Sequence, residues 1–375
     1  MNFLLLASFS EVFIYVIYVL IAVLVLLAMI TVHELGHYIS GKIFGFGIEE
    51  FAIGFGPKLY SRTKKDGEKF SIRLLPLGGF CAFKGEDAED VDPTAFNNKK
   101  PWQRLIVLLS GAFMNYLFSL LIIALMFSIY GYSALVAYKV DETPSIYGAE
   151  YDLQERDVIL KANGKNVYML TDLMTAVSDK KAGDEIALTI IRNKHKTNVI
   201  IKLRNDTDFE NVEQIDDLCS ALGIIYTVDE NSGEVLDSGL RTTGVKLGVF
   251  NTIGRSFEYS FKLAGTVLTV FRQLITGSLG IGSVGGTVTT ISVTAEAIKT
   301  GGLWSLLNIS SFIGVNLAIF NVLPFPALDG SRALFTLIEW IRKKPVNRRV
   351  EGIIHTVGFV LLLAFALLVD LQQCF

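Results

Sequence analysis

Four long stretches of this chain contain no Asp, Glu, Lys or Arg, and they limit its possible folds more than any other feature. A helix that spans a bilayer needs about 20 mostly apolar residues. Only 19% of the 375 residues are charged and 51% are hydrophobic, whereas soluble domains are about 25% charged. We therefore predict a polytopic α-helical membrane protein. Its four transmembrane helices are expected within residues 12–33, 105–138, 300–328 and 352–369.

The basic residues predict how the chain is oriented in the membrane. Eleven Lys and Arg lie in 42–104 and six lie in 329–350, whereas 1–10 and 370–375 contain none. The positive-inside rule places both basic segments in the cytoplasm and both termini outside. The long segment 139–299 is then extracytoplasmic. Because no basic segment precedes it, the first span is expected to be retained rather than cleaved as a signal peptide.

The segment after the first span is predicted to be a β-hairpin sheet. In residues 51–85 short apolar runs alternate with Gly and Pro, and Asp66-Gly67 is a strong hairpin-turn signal. The strands are too apolar to lie freely in water. We therefore expect a membrane-associated hairpin at about 50–85, packed against the rest of the protein.

The extracytoplasmic segment begins with a pattern typical of a small α/β domain. Strands are predicted within 157–167, 185–193 and 197–203, and a short helix is predicted over 170–178. Residues 207–247 are rich in Asp, Glu and Gly, which predicts a loosely ordered connector with a single strand at 222–228.

Three features are predicted before and within the third span. Residues 250–277 carry apolar side chains every three or four positions, which predicts an amphipathic helix in the membrane interface; the alternative is packing on a soluble core. Residues 273–295 contain five glycines and are predicted to form a loop near the membrane surface. Pro324 and Pro326 interrupt the span, and broken helices at membrane depth must be buried or line a cavity.

The stretch TVHELGHYISGK, residues 31–42, places ionisable side chains at the end of an apolar span. His33 and His37 are at i and i+4, so both imidazoles emerge on one helix face. Two such histidines with an adjacent Glu as general base are the zinc metalloprotease arrangement. The alternative is two buried histidines that only make interhelical hydrogen bonds. Because ionisable groups inside a span are costly and usually functional, we predict zinc on His33 and His37 and proton transfer by Glu34.

A catalytic zinc ion needs a third protein ligand, and Asp329 is the best candidate. It is the first charge after a long uncharged stretch and follows the interrupted helix. Two neutral imidazoles, one carboxylate and one hydroxide together neutralise Zn²⁺, as a site of low dielectric requires. The alternative role of Asp329 is the N-cap of a helix over 331–344. His195, in a predicted turn, and His355, at the start of the last span, fit less well.

Two classes of partner and site are excluded by composition. A net charge of −3 argues against nucleic acid as a partner. Cys81, Cys219 and Cys374 are too few and too widely spaced for a disulfide framework or a thiolate metal site. No cofactor beyond Zn²⁺ is predicted.

Four motifs together give the chain a resemblance to the site-2 protease family. They are HELGH at 33–37, PLGGFCAFKGED at 76–87, MNYLFSLLI at 114–122 and NVLPFPALDG at 321–330. The chain looks most like the bacterial regulator-of-sigma-E type of intramembrane metalloprotease. The order of parts also matches: two spans, an outside PDZ domain, an interfacial helix and two more spans.

The resemblance implies a role for each matching residue. It makes His33, His37 and Asp329 zinc ligands, Glu34 the general base, and Asn321 a residue that holds unwound substrate. It also implies that the hairpin around 76–83 offers a strand edge to the substrate. The implied domains are the first two spans with the hairpin at 1–130, a PDZ-like α/β domain at 131–206, the connector at 207–247, the interfacial helix at 248–277, and the glycine-rich loop with the last two spans at 278–375.

The chain also departs from the family pattern. Gly111-Ala112 stands where the family has Gly-Pro, and Ser331 follows the LDG motif where the family has Gly. In the turn that opens the PDZ domain, Asp152 and Arg156 replace glycines, and such residues resist the φ > 0 that glycine permits. We therefore expect this domain to act mainly as a size filter rather than to bind a peptide carboxylate.

The function predicted from these observations is intramembrane zinc endopeptidase activity on single-span membrane proteins, such as an anti-sigma factor or a remnant signal peptide. The resemblance implies a bacterial cytoplasmic membrane, with the lipid bilayer as the surroundings. One alternative is a non-catalytic scaffold with a peptide-binding PDZ domain, but a scaffold needs no zinc ligands. Another is a membrane-anchored zinc protease acting on soluble proteins outside, but the basic residues after the motif put it near the cytoplasm.

Overall fold

The fold is given by a computed structural model that describes residues 9–86, 91–205, 210–228, 235–246, 248–280 and 285–374. The chain forms two compact units, one of Met1–Leu125 with Ser256–Phe375 and one of Met126–Arg255. The helices are α1 (Phe9–Ile43), α2 (Pro101–Tyr130), α3 (Leu170–Val177), α4 (Ile215–Leu222), α5 (Val249–Thr276), α6 (Thr287–Val322), α7 (Asp329–Arg342) and α8 (Arg348–Cys374). The strands are β1 (Ile48–Thr63), β2 (Lys69–Phe83), β3 (Tyr132–Ala137), β4 (Val158–Ala162), β5 (Lys165–Asn166), β6 (Glu185–Arg192), β7 (His195–Lys202), β8 (Tyr226–Val228), β9 (Val235–Ser238) and β10 (Leu240–Val245).

Within the part of the chain that the structure describes, four helices are long and apolar enough to cross a membrane, as the uncharged stretches predict. They comprise Val12–Ile43, Pro101–Tyr130, Val288–Val322 and Arg349–Gln372. The second uncharged stretch, 105–138, holds one helix as predicted, but this helix runs from Pro101 to Tyr130 and ends before the stretch does. Gly131 adopts φ +84°, and the apolar residues after it form strand β3. An uncharged run therefore marks a buried strand as well as a spanning helix.

The prediction of a glycine-rich loop over 273–295 is wrong at both ends of that range, where the structure has helix. Residues up to 276 belong to α5 and residues from 287 belong to α6; residues 281–284 lie outside the described residues. The first turn of α6 is stabilised from far along the chain, because the Asp370 carboxylate accepts hydrogen bonds from the backbone N–H groups of Val288 and Thr289 at 3.2 Å each. A local propensity argument cannot include this remote cap. Gly302 has non-helical angles and kinks α6.

The hairpin predicted at about 50–85 is present and is folded back on itself. β1 and β2 both bend, with Gly54 and Gly56 at positive φ. Residues 48–53 therefore pair with 79–83 on one side, and residues 50–53 pair with 69–72 on the other. Among the described strands, none pairs with the outer side of 79–83. We call residues 79–83 the edge strand.

A buried carboxylate holds the hairpin turn against the end of α1. Glu68 is only 3% exposed, and its carboxylate accepts hydrogen bonds from Tyr38 Oη at 3.0 Å and Lys64 Nζ at 2.7 Å and pairs with Lys42. Burial alone would raise the pKa of Glu68, but these donors outweigh it and hold the pKa below its ordinary value. The sheet is thereby fixed relative to the helix that carries HELGH.

The second unit is an antiparallel sheet with strand order β10-β3-β4-β6-β7 and with β5 beside β4. Its elements agree with the strands and the helix predicted between 157 and 203. The inward sides of the strands and of two short helices form one apolar core, in which Ile159, Ile186 and Leu203 are fully buried. Within this unit the Asp157 carboxylate is buried and forms a two-point ion pair with Arg192.

The prediction of a loosely ordered connector at 207–247 is wrong for the described residues of that range. They contain α4, which buries Leu218, Cys219 and Leu222 in the core, and β10, which pairs with β3 from Leu240 to Val245. Apolar residues at the helical spacing i, i+3, i+4 and i+7, starting at Ile215, were the signal. The acidic residues between them hid that spacing.

Arg156 adopts φ +70°, although the sequence predicts that it resists a left-handed backbone. Its backbone N–H donates to Ala137 O at 2.7 Å, which holds the turn in place. An L residue in this conformation destabilises the folded state by about 1–2 kcal/mol. Glycine removes this strain, but it loses more conformational entropy on folding, which offsets part of the gain. Arg156→Gly should therefore stabilise the protein by about 0.5–1 kcal/mol, measured by thermal denaturation of the detergent-solubilised chain. Asn193→Gly is the control, because Asn193 also has positive φ but Asn tolerates it; an equal gain in both variants would contradict the strain argument.

Helix α5 confirms the predicted helix over 250–277, but the side that it buries is not the predicted apolar stripe; it carries Tyr259, Leu263 and Val267 together with small polar residues. Ser256 and Ser260 are fully buried, whereas Phe250, Phe261 and Ile275 are 90%, 66% and 70% exposed. The Ser260 hydroxyl lies 2.8 Å from Tyr116 Oη of α2. Most of the predicted apolar stripe is thus left uncovered by the protein, although Phe271 packs against Phe320 and Phe325. This exposure disfavours the alternative of packing on a soluble core.

Candidate active site

The HELGH residues lie inside α1, with the helix continuing to Ile43. His33 and His37 are 8% and 7% exposed, and their Nε2 atoms are 3.1 Å apart on one helix face. The i, i+4 spacing alone predicts this convergence. The helical geometry continues through the motif, so both rings are held by the rigid element that carries them.

The break at Pro324 and Pro326 brings Asp329 to the two histidines. α6 ends at Val322 and α7 begins at Asp329. One oxygen of Asp329, Oδ2, lies 2.8 Å from His33 Nε2 and 3.2 Å from His37 Nε2. Asp329 is not an N-cap, because Leu328 occupies that position and no side chain caps the helix. The second role considered for this residue is therefore wrong.

The donor set and its surroundings fit a divalent metal ion. One ligand atom from each of His33, His37 and Asp329 lies within 4.8 Å of the others. Across the described ranges, no other group of three or more His, Cys, Asp or Glu residues converges in this way. His37 Nδ1 lies 2.8 Å from Val107 O, so Nδ1–H donates to that carbonyl and the Nε2 lone pair is free to bind a metal. Two histidines and one carboxylate are a ligand set of catalytic zinc sites.

Glu34 lies beside these ligands and faces the edge strand. It lines a cavity of about 320 Å³ together with His37, Asp329 and residues 80–83. It also lies against Gly79 of the edge strand, where an added Cβ would be 3.6 Å from Glu34 Cγ. A carboxylate that borders both the metal ligands and an open strand edge is placed to exchange a proton with a water molecule attacking a bound peptide.

A second polar cavity of about 360 Å³ adjoins the first. Glu86, Phe96, Leu108 and Arg332 line both cavities, and Arg332 forms an ion pair with Glu86 between them. His355 lines the second cavity, and its Nδ1 accepts a hydrogen bond from the backbone N–H of Ala327 at 3.2 Å. His355 thus supports the turn before Asp329 instead of supplying a metal ligand.

Glycine allows α1 and α2 to approach each other closely at the site. A Cβ at Gly111 would lie 2.5 Å from His37 Nε2 and 2.7 Å from His33 Nε2, and a Cβ at Gly36 would overlap the backbone of Ser110. Sequence reasoning missed the role of Gly111 and treated Gly111-Ala112 only as a departure from Gly-Pro. The available signal was Gly111 itself, because a close approach of two helices needs a residue without a side chain and does not need the proline that follows it in the family pattern.

The remaining predicted site residues lie elsewhere. Asn321 is half-buried at the end of α6 and donates to Leu317 O of its own helix at 3.0 Å. It is not among the residues that line the cavity of Glu34. Its role in holding substrate stays a prediction. His195 begins β7 in the second unit and is exposed.

Comparison with known proteins extends over nearly the whole chain. A family model described as "Peptidase family M50" matches residues 21–365. "Putative zinc metalloprotease CPE1693" of Clostridium perfringens is 34% identical over 358 residues, covering 95% of this chain and 98% of that relative. "Zinc metalloprotease RasP" of Bacillus licheniformis is 26% identical over 440 residues, covering 94% and 98%. With this match over residues 21–365 and its converging His-His-Asp cluster beside a Glu, this chain belongs to peptidase family M50, the site-2 protease family.

Proposed function

We propose that this protein is an intramembrane zinc endopeptidase that hydrolyses peptide bonds within or near the transmembrane segments of single-span proteins. The observation that carries the proposal is the meeting of His33, His37 and Asp329 next to Glu34 and the edge strand. His33 and His37 lie on α1, which is long and apolar enough to span a membrane. Asp329 follows the break at the end of α6, which is also of membrane-spanning length.

His33, His37 and Asp329 would hold the zinc ion. When bound, zinc lowers the pKa of a water molecule to about 7 and polarises the scissile carbonyl. Glu34 takes the proton from the attacking water and delivers it to the leaving amine, a transfer worth about 10²–10⁴ in rate. Val107 O holds the His37 ring in the orientation that directs Nε2 to the site.

The edge strand is the proposed binding site for unwound substrate. A helix shields its peptide bonds with internal hydrogen bonds, so the substrate must become extended before cleavage. An extended segment can then pair with the free side of 79–83 by β-augmentation. The position of Glu34 beside Gly79 and residues 80–83 supports this placement, because the proposed general base then borders the strand that would hold the substrate.

We propose a multi-pass topology in a bacterial cytoplasmic membrane, with both termini and the second unit extracytoplasmic. The charge pattern supports it, and so do exposed apolar side chains in two places. The bent part of the hairpin exposes Leu59, Leu74 and Leu75 at 65%, 54% and 51%. The apolar stripe of α5 is exposed as well. Both surfaces match contact with lipid.

The second unit is proposed to be a PDZ-like domain that restricts access by size. Its antiparallel sheet and two short helices support this assignment. Substrates would be single-span proteins of the anti-sigma-factor or remnant-signal-peptide type.

The zinc content of the full-length chain, purified in detergent, tests the site. We expect about one zinc ion per chain and loss of most of it in Asp329→Ala, because two imidazoles alone bind zinc weakly. Asp237→Ala is the control, since it removes only an exposed ion pair with Arg241. Metal analysis after gel filtration measures the occupancy. Full occupancy in Asp329→Ala would refute the third-ligand assignment.

Cleavage of a purified single-span reporter tests the activity. A chelator should stop the cleavage and added Zn²⁺ should restore it. A wild-type chain that carries zinc but cleaves only a soluble peptide, and never the single-span reporter, would refute the intramembrane assignment.

A further inference from the structure

Helix α2 presents one stripe of residues to the two histidines. Val107, Gly111 and Asn115 are spaced four apart, so they lie on one face of the helix. Val107 O contacts His37 Nδ1 at 2.8 Å, Gly111 approaches both Nε2 atoms, and Asn115 Nδ2 lies 3.4 Å from His33 Nδ1. Each histidine therefore meets its own polar group from α2.

The Asn115 amide is buried in an arrangement that leaves one of its atoms unused. The residue is fully buried, and its Oδ1 has no hydrogen-bond partner. Buried amide oxygens are normally satisfied. The amide nitrogen, which can only donate, is the atom that faces the ring. The oxygen and nitrogen of an amide are exchanged by a 180° rotation that leaves its shape unchanged.

The ring chemistry decides which orientation is compatible with metal binding. His33 Nε2 is the atom that converges with His37 and Asp329. If Nε2 binds a metal through its lone pair, the neutral ring carries its proton on Nδ1, and Nδ1–H needs an acceptor. With the amide rotated, Oδ1 is that acceptor, and the unused atom gains its partner. Val107 O already does the same for His37.

We propose that Asn115 is a positioning residue that accepts a hydrogen bond from His33 Nδ1–H and so fixes the tautomer and the ring orientation in which His33 binds zinc. The inference rests on the proposed zinc function. Outer-shell partners of this kind typically change metal affinity 10–100-fold when removed. Asn115 does not touch the substrate or the reacting atoms in this assignment.

Zinc affinity of the full chain in detergent, measured by competition with a chromogenic chelator, tests the proposal. Asn115→Leu keeps the branched shape of the side chain but removes the acceptor, so affinity should fall about 10–100-fold. Asn115→Asp keeps an acceptor and has no donor, so affinity should stay within about threefold of wild type. Ser119→Ala is the control, because Ser119 is fully buried one turn further along α2 and bonds only to its own helix; its affinity should not change.

Two results would overturn the proposal. One is an Asn115→Leu chain that binds zinc as tightly as wild type. The other is an Asn115→Asp chain that loses as much affinity as Asn115→Leu, because this would make Asn115 a donor or a space-filling group. If Asn115→Leu does not fold, Asn115→Ala takes its place against Asn115→Asp. A wild-type chain without zinc would refute the proposed function together with this inference, whereas the two results above refute the inference alone.

Discussion

Glu34→Gln is expected to leave zinc binding intact and to reduce cleavage by at least about 10²–10⁴-fold. The substitution keeps the size of the side chain, but an amide cannot accept the proton of the attacking water. Glu34 is also not one of the three converging ligands. Zinc content and single-turnover cleavage of a single-span reporter, measured on the same preparation, separate binding from chemistry.

The control for this experiment is Glu49→Gln, an exposed carboxylate on β1 that does not line the cavity of Glu34. It should cleave at the wild-type rate. A Glu34→Gln chain that also cleaves at that rate would refute the general-base assignment. A chain that loses zinc and cleavage together would instead make Glu34 part of the metal site.

Gly111→Ala is expected to remove zinc and activity together, although it adds one methyl group. That methyl would lie 2.5 Å from His37 Nε2 and 2.7 Å from His33 Nε2, where the ligand atoms converge. Contacts under 3.0 Å cannot persist, so either the rings or α2 must move. A displacement of about 1 Å at a catalytic site costs about 10²-fold in rate, and loss of the metal costs more. Zinc content and reporter cleavage measure both effects.

Gly265→Ala provides the comparison, because Gly265 is also helical and a Cβ there meets nothing within 4 Å. This variant should keep full zinc and activity, and alanine should even favour the helix by up to about 1 kcal/mol. If Gly111→Ala binds zinc normally, the close crossing of α1 and α2 is not needed for the site.

The parts of the site that the sequence predicts are those set by local geometry or by chemistry. The pairing of His33 and His37 follows from the helical repeat. Asp329 lies 296 residues from His33. It was predicted because a catalytic zinc site needs a third protein ligand and because Asp329 is the first charged residue after a long uncharged stretch. Neither argument requires knowledge of which helices touch.

The parts that sequence reasoning missed depend on tertiary contacts. Gly111, Asn115 and Val107 O act from α2 only because that helix lies against α1, and nothing in their own spacing indicates a histidine on the other side. The early start of α6 depends likewise on Asp370. In the second unit, β3 lies in the same uncharged stretch as α2. Because a buried strand and a membrane helix can both lack charge, the lack of charge does not indicate where α2 ends.

The cap that Asp370 places on α6 has a consequence for how the protein is made. The backbone N–H groups of Val288 and Thr289 cannot bond to the Asp370 carboxylate until about 80 more residues have been synthesised. During that interval Asp329 has already left the ribosome, so the metal ligands all exist before the helix leading to Asp329 is fully anchored. Insertion of α8 is therefore the step that completes the helical unit. A nascent chain stalled before residue 370 should contain His33, His37 and Asp329 but have a frayed first turn of α6.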